Sequence, residues 1–255
     1  MSRFKLGRSF GIRHPALPKM GAFLNNVSLP ALNEKQDWYS SVASFGMLGN
    51  QICGDCTIAC VGHMDQQESI YAGLPTYIMT DQEAIDQYSA LSGYNPADPS
   101  TDTGLYEGVV GKHWLDGGFI CGGQVDRIVG FADCDVRDLD EVKYAVQLTG
   151  NAMLGVMLPM SAETNLDLWD VPTNPADAAL LGGHCVPAMG FDKDYWYVVS
   201  WGRLIPVTNA FMAKYLLEAH VTLTHRWMTS ANTTPAGFSW DFLVAASQEF
   251  STAAA

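Results

Sequence analysis

The first pattern along the chain is helical. From Cys56 to Tyr71 few residues are β-branched, no proline occurs, Gly62 is the one internal glycine, and Gly73 stands where a C-terminal stop is expected. The turn-forming stretch Gly49-Asn50-Gln51-Ile52-Cys53-Gly54-Asp55 leads into it, which places Cys56 at a helix N-terminus. A second helix is predicted over Asp81 to Leu91, with Thr80 as N-cap and Glu83 at the capping-box position. A loop with Asn95-Pro96 and Asp98-Pro99 as turn formers follows, then helices over Tyr106 to Leu115 and Asp138 to Leu148. Past residue 150 the period changes. Met153 to Met157 and Cys185 to Gly190 read as buried strands, and Tyr195 to Trp201 as the second arm of a hairpin after the Asp192-Lys193-Asp194 turn. A short helix over Thr208 to Glu218, a strand over Ala219 to Thr224 and an amphipathic helix over Ser239 to Phe250 complete the chain.

Helices first and strands afterwards predict an α+β protein of two lobes. The predicted organisation is an extended basic N-terminal arm (1–35), a mainly helical lobe (36–150), and an antiparallel β-rich lobe with a C-terminal helix (151–255). The arm is rich in proline and glycine and is expected to run extended over the surface.

Composition narrows the function classes. The chain of 255 residues is 48% hydrophobic and 16% charged, as ordinary globular proteins are. Its longest apolar stretch, Ala152 to Met160, contains Pro159 and is far short of the roughly 20 residues that span a bilayer. No apolar secretory h-region marks the N-terminus, so a cytoplasmic setting is expected. The first twenty residues hold Arg3, Lys5, Arg8, Arg13 and Lys19 and no acid, against 14 bases and 27 acids in the whole chain. The acidic body is expected to repel nucleic acid and anionic membrane. The arm has three open readings: it binds an acidic partner protein, it binds the chain's own body, or it is a solvated tail.

The candidate chemistry centres on cysteine. Cys53, Cys56, Cys60, Cys121, Cys134 and Cys185 need not form disulfides in a chain without an export signal. A thiol at a helix N-terminus is a candidate nucleophile because the helix end stabilises its thiolate. A histidine beside it could take the thiol proton and later protonate a leaving amine. Of six histidines, His184 is preceded by Gly182-Gly183 and followed by a strand, so its ring can face a cleft. The rival reading is a zinc site from Cys53, Cys56, Cys60 and His63. No cofactor is predicted. His63 and His113 are expected on helix surfaces or between lobes, and His14, His220 and His225 carry no context. Asp133, Asp135, Asp138, Asp140 and Glu141 read as a solvated acidic face, and Tyr195, Trp196, Tyr197 and Trp201 as sheet core.

The ordered set Leu29-Pro30, Asp37-Trp38 and Gly49 to Cys56 resembles the mature start of papain-family cysteine peptidases, in which an Asp-Trp pair precedes a Cys-Gly-Ser-Cys-Trp motif. The eighteen positions from Trp38 to Cys56 match the family's spacing. Gly183-His184-Cys185-Val186, Gly190-Phe191 and Ser200-Trp201-Gly202 resemble its histidine and Asn-Ser-Trp-Gly blocks, and Gly104 to Phe119 a segment of its first lobe. The resemblance implies a papain-like two-lobed fold and a cysteine hydrolase cleaving a peptide or isopeptide bond. It makes Cys56 the nucleophile, His184 the base and Asn50 the oxyanion donor, with Gln51 as a substitute donor. Gly183 and Trp201 would border the substrate. Aligning on Trp201 puts Val199 where the family has its His-orienting Asn, whereas counting from His184 puts Ser200 there, and Ser200 can accept a ring hydrogen bond. Asp192 and Asp194 are outside candidates for that task. Thr57 stands where the family has Trp, and Cys53 has no cysteine within 101–108 to pair with. The 28 residues before Leu29 lack the helical pattern of the family's inhibitory prosegment, so the arm is expected to lie through or beside the cleft. Papain-like chains of this kind occur in bacteria and phages. An inactive scaffold that serves a phage particle is therefore the alternative, with a virion location.

Overall fold

The computed structural model of the chain describes residues 4–9, 17, 19–21 and 30–243. After a two-residue strand β1 (Gln36–Asp37), the chain enters helix α1 (Cys56–Tyr71), helix α2 (Asp81–Ser92) and helix α3 (Glu107–Asp116). A small hairpin of β2 (Phe119–Cys121) and β3 (Gln124–Asp126) follows, then β4 (Ile128–Asp133) and helix α4 (Leu139–Thr149). The second half contributes β5 (Ala152–Pro159), the short helix α5 (Met160–Thr164), β6 (Leu180–Phe191), β7 (Tyr195–Ser200), β8 (Arg203–Thr208), helix α6 (Asn209–Tyr215) and β9 (Leu216–Thr224). This is the α+β architecture expected, helices leading and an antiparallel sheet following.

The helices form where the local chemistry is strongest. Thr80 accepts from the Glu83 N–H at 3.1 Å and the Glu83 carboxylate accepts from the Thr80 N–H at 2.7 Å, the reciprocal capping box. Asp138 caps α4. Helix α1 ends at Tyr71, and Gly73 takes the left-handed φ of +70° just beyond it. The expected helix to Glu218 stops at Tyr215, because residues from Leu216 onward join the sheet, with Leu216 opposite Val156 and His220 opposite Met153. The predicted final helix over Ser239 to Phe250 begins at residue 240, and its part beyond 243 lies outside the described residues.

Seven strands make one sheet in the order β4-β9-β5-β6-β7-β8, with β1 on β6, all antiparallel. One core cluster lies around this sheet and α4, including Trp169, Trp196, Phe211 and Leu154. The other lies around α1 to α3, including Ile58, Met64, Tyr88 and Trp114, and takes in Met153 and Cys185 from the sheet.

Helix α1 runs between them, buried from Cys56 to Ser69. A helix so enclosed is usually apolar all round, yet this one carries His63, Asp65, Gln67 and Glu68. Several of their polar atoms find partners inside. His63 Nε2 meets the Gly46 carbonyl at 2.9 Å, and Asn151 Nδ2 donates to both Gln67 Oε1 and Glu68 Oε1 at 2.8 Å. Burial pushes the Glu68 carboxyl up to about 8, so it is held as the neutral acid at neutral pH. No helix of the described residues is long and apolar enough to cross a membrane.

Candidate active site

Cys56 is the first residue of α1, and its sulfur lies 3.4 Å from the backbone N–H of Cys185, the residue after His184. The β6 register carries the histidine to this point, with Val156 opposite His184 and Gly155 opposite Cys185. His184 Nε2 meets Ser200 Oγ at 2.8 Å. Of the two residues that sequence counting left open, Ser200 is thus the one bonded to the ring; Val199 is buried and lies opposite Leu204 in the ladder.

The hairpin explains the shift. Ser200 pairs with Arg203, so the β7–β8 turn consists of Trp201 and Gly202, both at positive φ (49° and 69°). Such two-residue turns need left-handed backbone at both positions. Trp201 accepts that conformation and lies over the imidazole, ring centroids 4.8 Å apart and 23° from parallel. Removing the hydroxyl in Ser200→Ala would leave a buried ring nitrogen unpaired. That change is expected to destabilise the protein by about 1–3 kcal/mol in denaturant melts, and an unchanged midpoint would refute the assignment.

Cys56, His184, Ser200, Trp201 and Asn50 border one small cavity of about 10 Å³. Asn50 is buried and its Nδ2 donates to Asp55 Oδ1 at 3.0 Å, so one amide hydrogen is committed to holding the loop. Gln51 is corrected: it is exposed and bonds Asp81 Oδ2 at 2.9 Å, away from the sulfur. Asp192 and Asp194 are also displaced from the role offered them. Asp192 accepts from the Tyr195 N–H and the Tyr197 hydroxyl in the β6–β7 turn, and Asp194 pairs with Lys193.

The zinc array does not assemble. Cys60 Sγ packs on the Met64 sulfur and His63 bonds Gly46. Among the described residues the trio with ligand atoms within 4.8 Å of one another is instead Glu107, Glu218 and His220. All six cysteines are buried and none forms a disulfide.

Of the two courses expected for the N-terminal arm, over the surface or through or beside the cleft, its residues 7–9 take the second, with Gly7 and Arg8 buried. The Arg8 N–H donates to the Gly183 carbonyl at 3.3 Å, the Ser9 N–H to the Leu105 carbonyl at 3.0 Å, and the Leu105 N–H to the Gly7 carbonyl at 2.8 Å. Residues 7–9 therefore bridge the strand that carries His184 and the segment that leads into α3. Phe4 stacks on Trp201 at 4.4 Å. A Cβ on Gly7 would fall 1.6 Å from the Gly54 carbonyl oxygen, and one on Gly104 2.1 Å from the Gly7 carbonyl oxygen. Only bare backbone passes between these two glycines.

Under the arm Cys56 and His184 are each 1% exposed. Burial pushes the Cys56 thiol up to about 12, against the N–H groups of Cys185 and Gly7 that pull it down. Burial alone pushes His184 down to about 3. In this state the pair is neutral and closed.

The arm's bases engage the body, which excludes a solvated tail for this part of it. Arg8 pairs with Glu107 at 2.9 Å and with Glu218, and Lys19 with Asp133. His220 Nδ1 meets Asp133 at 2.9 Å and its Nε2 meets Glu107 at 3.3 Å. These carboxylates raise His220 well above its ordinary value despite burial. Asp133, read from sequence as solvated, is buried in this network. Sequence reasoning missed Glu107, Glu218 and His220. The signal available was Glu218 and His220 two apart on a strand, hence on one face.

The fold is that of the papain-like cysteine proteases. No protein-family model matches the chain, and no curated protein sequence matches it. Among solved structures it is similar to xylellain, a cysteine protease from Xylella fastidiosa (TM-score 0.66, 14% identity, 88% of this chain and 97% of that one). It is also similar to procathepsin B S9 from Trypanosoma congolense (0.59, 13%, 87% and 87%) and to the Carica candamarcensis cysteine protease CMS1MS2 in complex with E-64 (0.54, 15%, 75% and 99%).

Proposed function

We propose that the chain is a cysteine peptidase whose nucleophile is Cys56 and whose base is His184, held closed by its own N-terminal arm. The observation that supports this most directly is the seating of the Cys56 sulfur 3.4 Å from the Cys185 N–H, beside a histidine whose far nitrogen is already fixed by Ser200. With Nε2 so engaged, Nδ1 is the nitrogen left to take the thiol proton. The thiolate then attacks a peptide carbonyl carbon, forming a C–S bond. His184 gives its proton to the departing amine as the C–N bond breaks, and water with His184 as base hydrolyses the thioester. The Cys56 backbone N–H at the head of α1 and the remaining Asn50 amide hydrogen would hold the oxyanion.

A second reading keeps the fold without turnover, the arm never leaving the cleft. Thr57, buried where the resemblance places an aromatic residue, favours it. The two readings part on one experiment. In the full-length chain with the arm displaced, iodoacetamide at mildly acidic pH is expected to label Cys56 ahead of the other five cysteines. His184→Ala should abolish that selectivity, and Cys56→Ser should abolish hydrolysis of a denatured protein substrate. Uniform labelling of all six thiols, unaffected by His184→Ala, would leave the inert scaffold as the better account.

A further inference from the structure

Strand β9 sets Glu218 and His220 two residues apart, hence on one face of the sheet. Glu107, the first residue of α3 and fully buried, meets that face. His220 Nε2 stands 3.3 Å from Glu107 Oε2 and 3.8 Å from Glu218 Oε2. One ligand atom from each of the three residues lies within 4.8 Å of the other two. Zinc bonds to imidazole nitrogen and carboxylate oxygen are about 2.0–2.2 Å long, so at tetrahedral angles neighbouring ligand atoms sit about 3.3–3.6 Å apart. The three side chains are close to that spacing already.

The remaining contacts favour an ion over a closed ion-pair network. Among the described residues, Glu107 Oε2 and both ring nitrogens of His220 have no hydrogen-bond partner, although the two residues are 0% and 3% exposed. Glu107 Oε2 and His220 Nε2 thus face each other at 3.3 Å without bonding. They converge on shared space. Behind the ring, Asp133 lies directly opposite His220 in the β4–β9 ladder, its Oδ1 2.9 Å from Nδ1. Phe131 stacks on the imidazole at 4.7 Å, 22° from parallel. A carboxylate behind a ligating histidine fixes the ring's tautomer and orientation and raises its basicity.

We infer that Glu107, Glu218 and His220 form a site for a divalent cation of the zinc class, oriented by Asp133, and that this cation and the seated arm oppose each other. The inference goes beyond the peptidase reading and does not depend on turnover at Cys56. One imidazole with two carboxylates suits zinc better than magnesium or calcium, which take oxygen ligands. Three protein ligands leave the fourth position to water. Arg8 engages the other oxygen, Oε1, of each glutamate, so the opposition is one of charge. The imidazole ligates as the neutral ring, its proton passing to water. With the arm seated, Arg8, Lys19 and a divalent ion would set four positive charges against the three of Glu107, Glu218 and Asp133; with the arm away, two face three. Uncompensated buried charge is strongly unfavourable. The ion therefore favours release of the arm, and the arm weakens the ion by the same factor.

The test titrates Co2+, a spectroscopic substitute for zinc, into the full-length Cys56→Ser and Cys56→Ser/Arg8→Gln chains. One Co2+ per chain is expected, with the visible bands of a four-coordinate ion and no thiolate-to-cobalt charge-transfer band. Arg8→Gln should tighten binding about five- to a hundredfold. Adding Glu218→Gln should abolish saturable binding, and Asp133→Asn should weaken it about ten- to a hundredfold. Absence of saturable binding, or a thiolate charge-transfer band, overturns the site; equal affinity with and without Arg8 overturns the opposition.

Should Arg8→Gln not fold, a second measurement keeps the arm intact. Amide hydrogen exchange at Ser9 in the full-length Cys56→Ser chain is expected to quicken with saturating Zn2+ and to stay unchanged in Cys56→Ser/Glu218→Gln. An unchanged rate in the first chain, or equal quickening in both, refutes the inference. Neither measurement requires a bond to be cut, so its failure leaves the peptidase reading standing, and Co2+ binding in a chain that cleaves nothing would sink that reading alone.

Discussion

Gly7→Val is expected to raise the rate at which Cys56 reacts with a thiol reagent by roughly ten- to a hundredfold. The closed state tolerates no side chain at position 7, because its Cβ would sit 1.6 Å from the Gly54 carbonyl oxygen. Overpacking of this kind costs about 1–3 kcal/mol, and each 1.4 kcal/mol moves an equilibrium about tenfold. Gly54 cannot easily retreat, since its N–H is held by both Asp102 oxygens at 3.0 Å and Asp102 accepts from the Tyr88 hydroxyl at 2.6 Å. The arm is therefore the part expected to yield. The check is a time course of Cys56 alkylation, followed by mass spectrometry, in wild type and variant. An unchanged rate would mean that the arm does not guard the sulfur.

Acid is expected to open the same closure. His184 is buried neutral with its value pushed down to about 3, whereas an uncovered imidazole titrates near 6.5. A histidine depressed in the closed state contributes stability above about pH 6.5 and loses it progressively as the pH falls toward 3. At pH 5 the loss is about 2 kcal/mol, or roughly a thirtyfold larger open fraction. Glu107 acts in the same direction: burial raises it and Arg8 lowers it, so losing Arg8 makes the open form take up a proton sooner. Glu218 and Asp133, both held low by His220 and the arm's bases, lose their contribution only in stronger acid. Amide hydrogen exchange at Arg8 and Ser9, corrected for the intrinsic pH effect, should accelerate about thirtyfold from pH 7 to 5. His184→Gln should flatten that rise, and a profile equally steep in His184→Gln would assign it to the carboxylates.

Much of the helical half was legible because its determinants are local. Thr80 with Glu83, Asp138 before α4 and Gly73 after α1 are signals read within a few positions. The placement of Cys56 and His184 came from spacing and resemblance, and the structure brings them to one cavity. Strands β4 and β8 and the β2–β3 hairpin escaped notice, since their short segments acquire meaning only from the partners they pair with. Ser200 against Val199 was undecidable until the turn type fixed the count. The Arg8 ion pairs were hidden for the plainest reason: Arg8 meets Glu107 across 99 positions and Glu218 across 210. No local pattern encodes such a meeting.

Strand β9 lies between β4 and β5, and β4 comes from before residue 134. A chain emerging from the ribosome therefore cannot close its sheet until residues 216–224 have been made. Long-range pairing of this sort is slow to form, and Glu218 arrives with that last central strand. The clamp on Arg8 is thus among the late events of biosynthesis, and helix α1 is made long before that clamp can close.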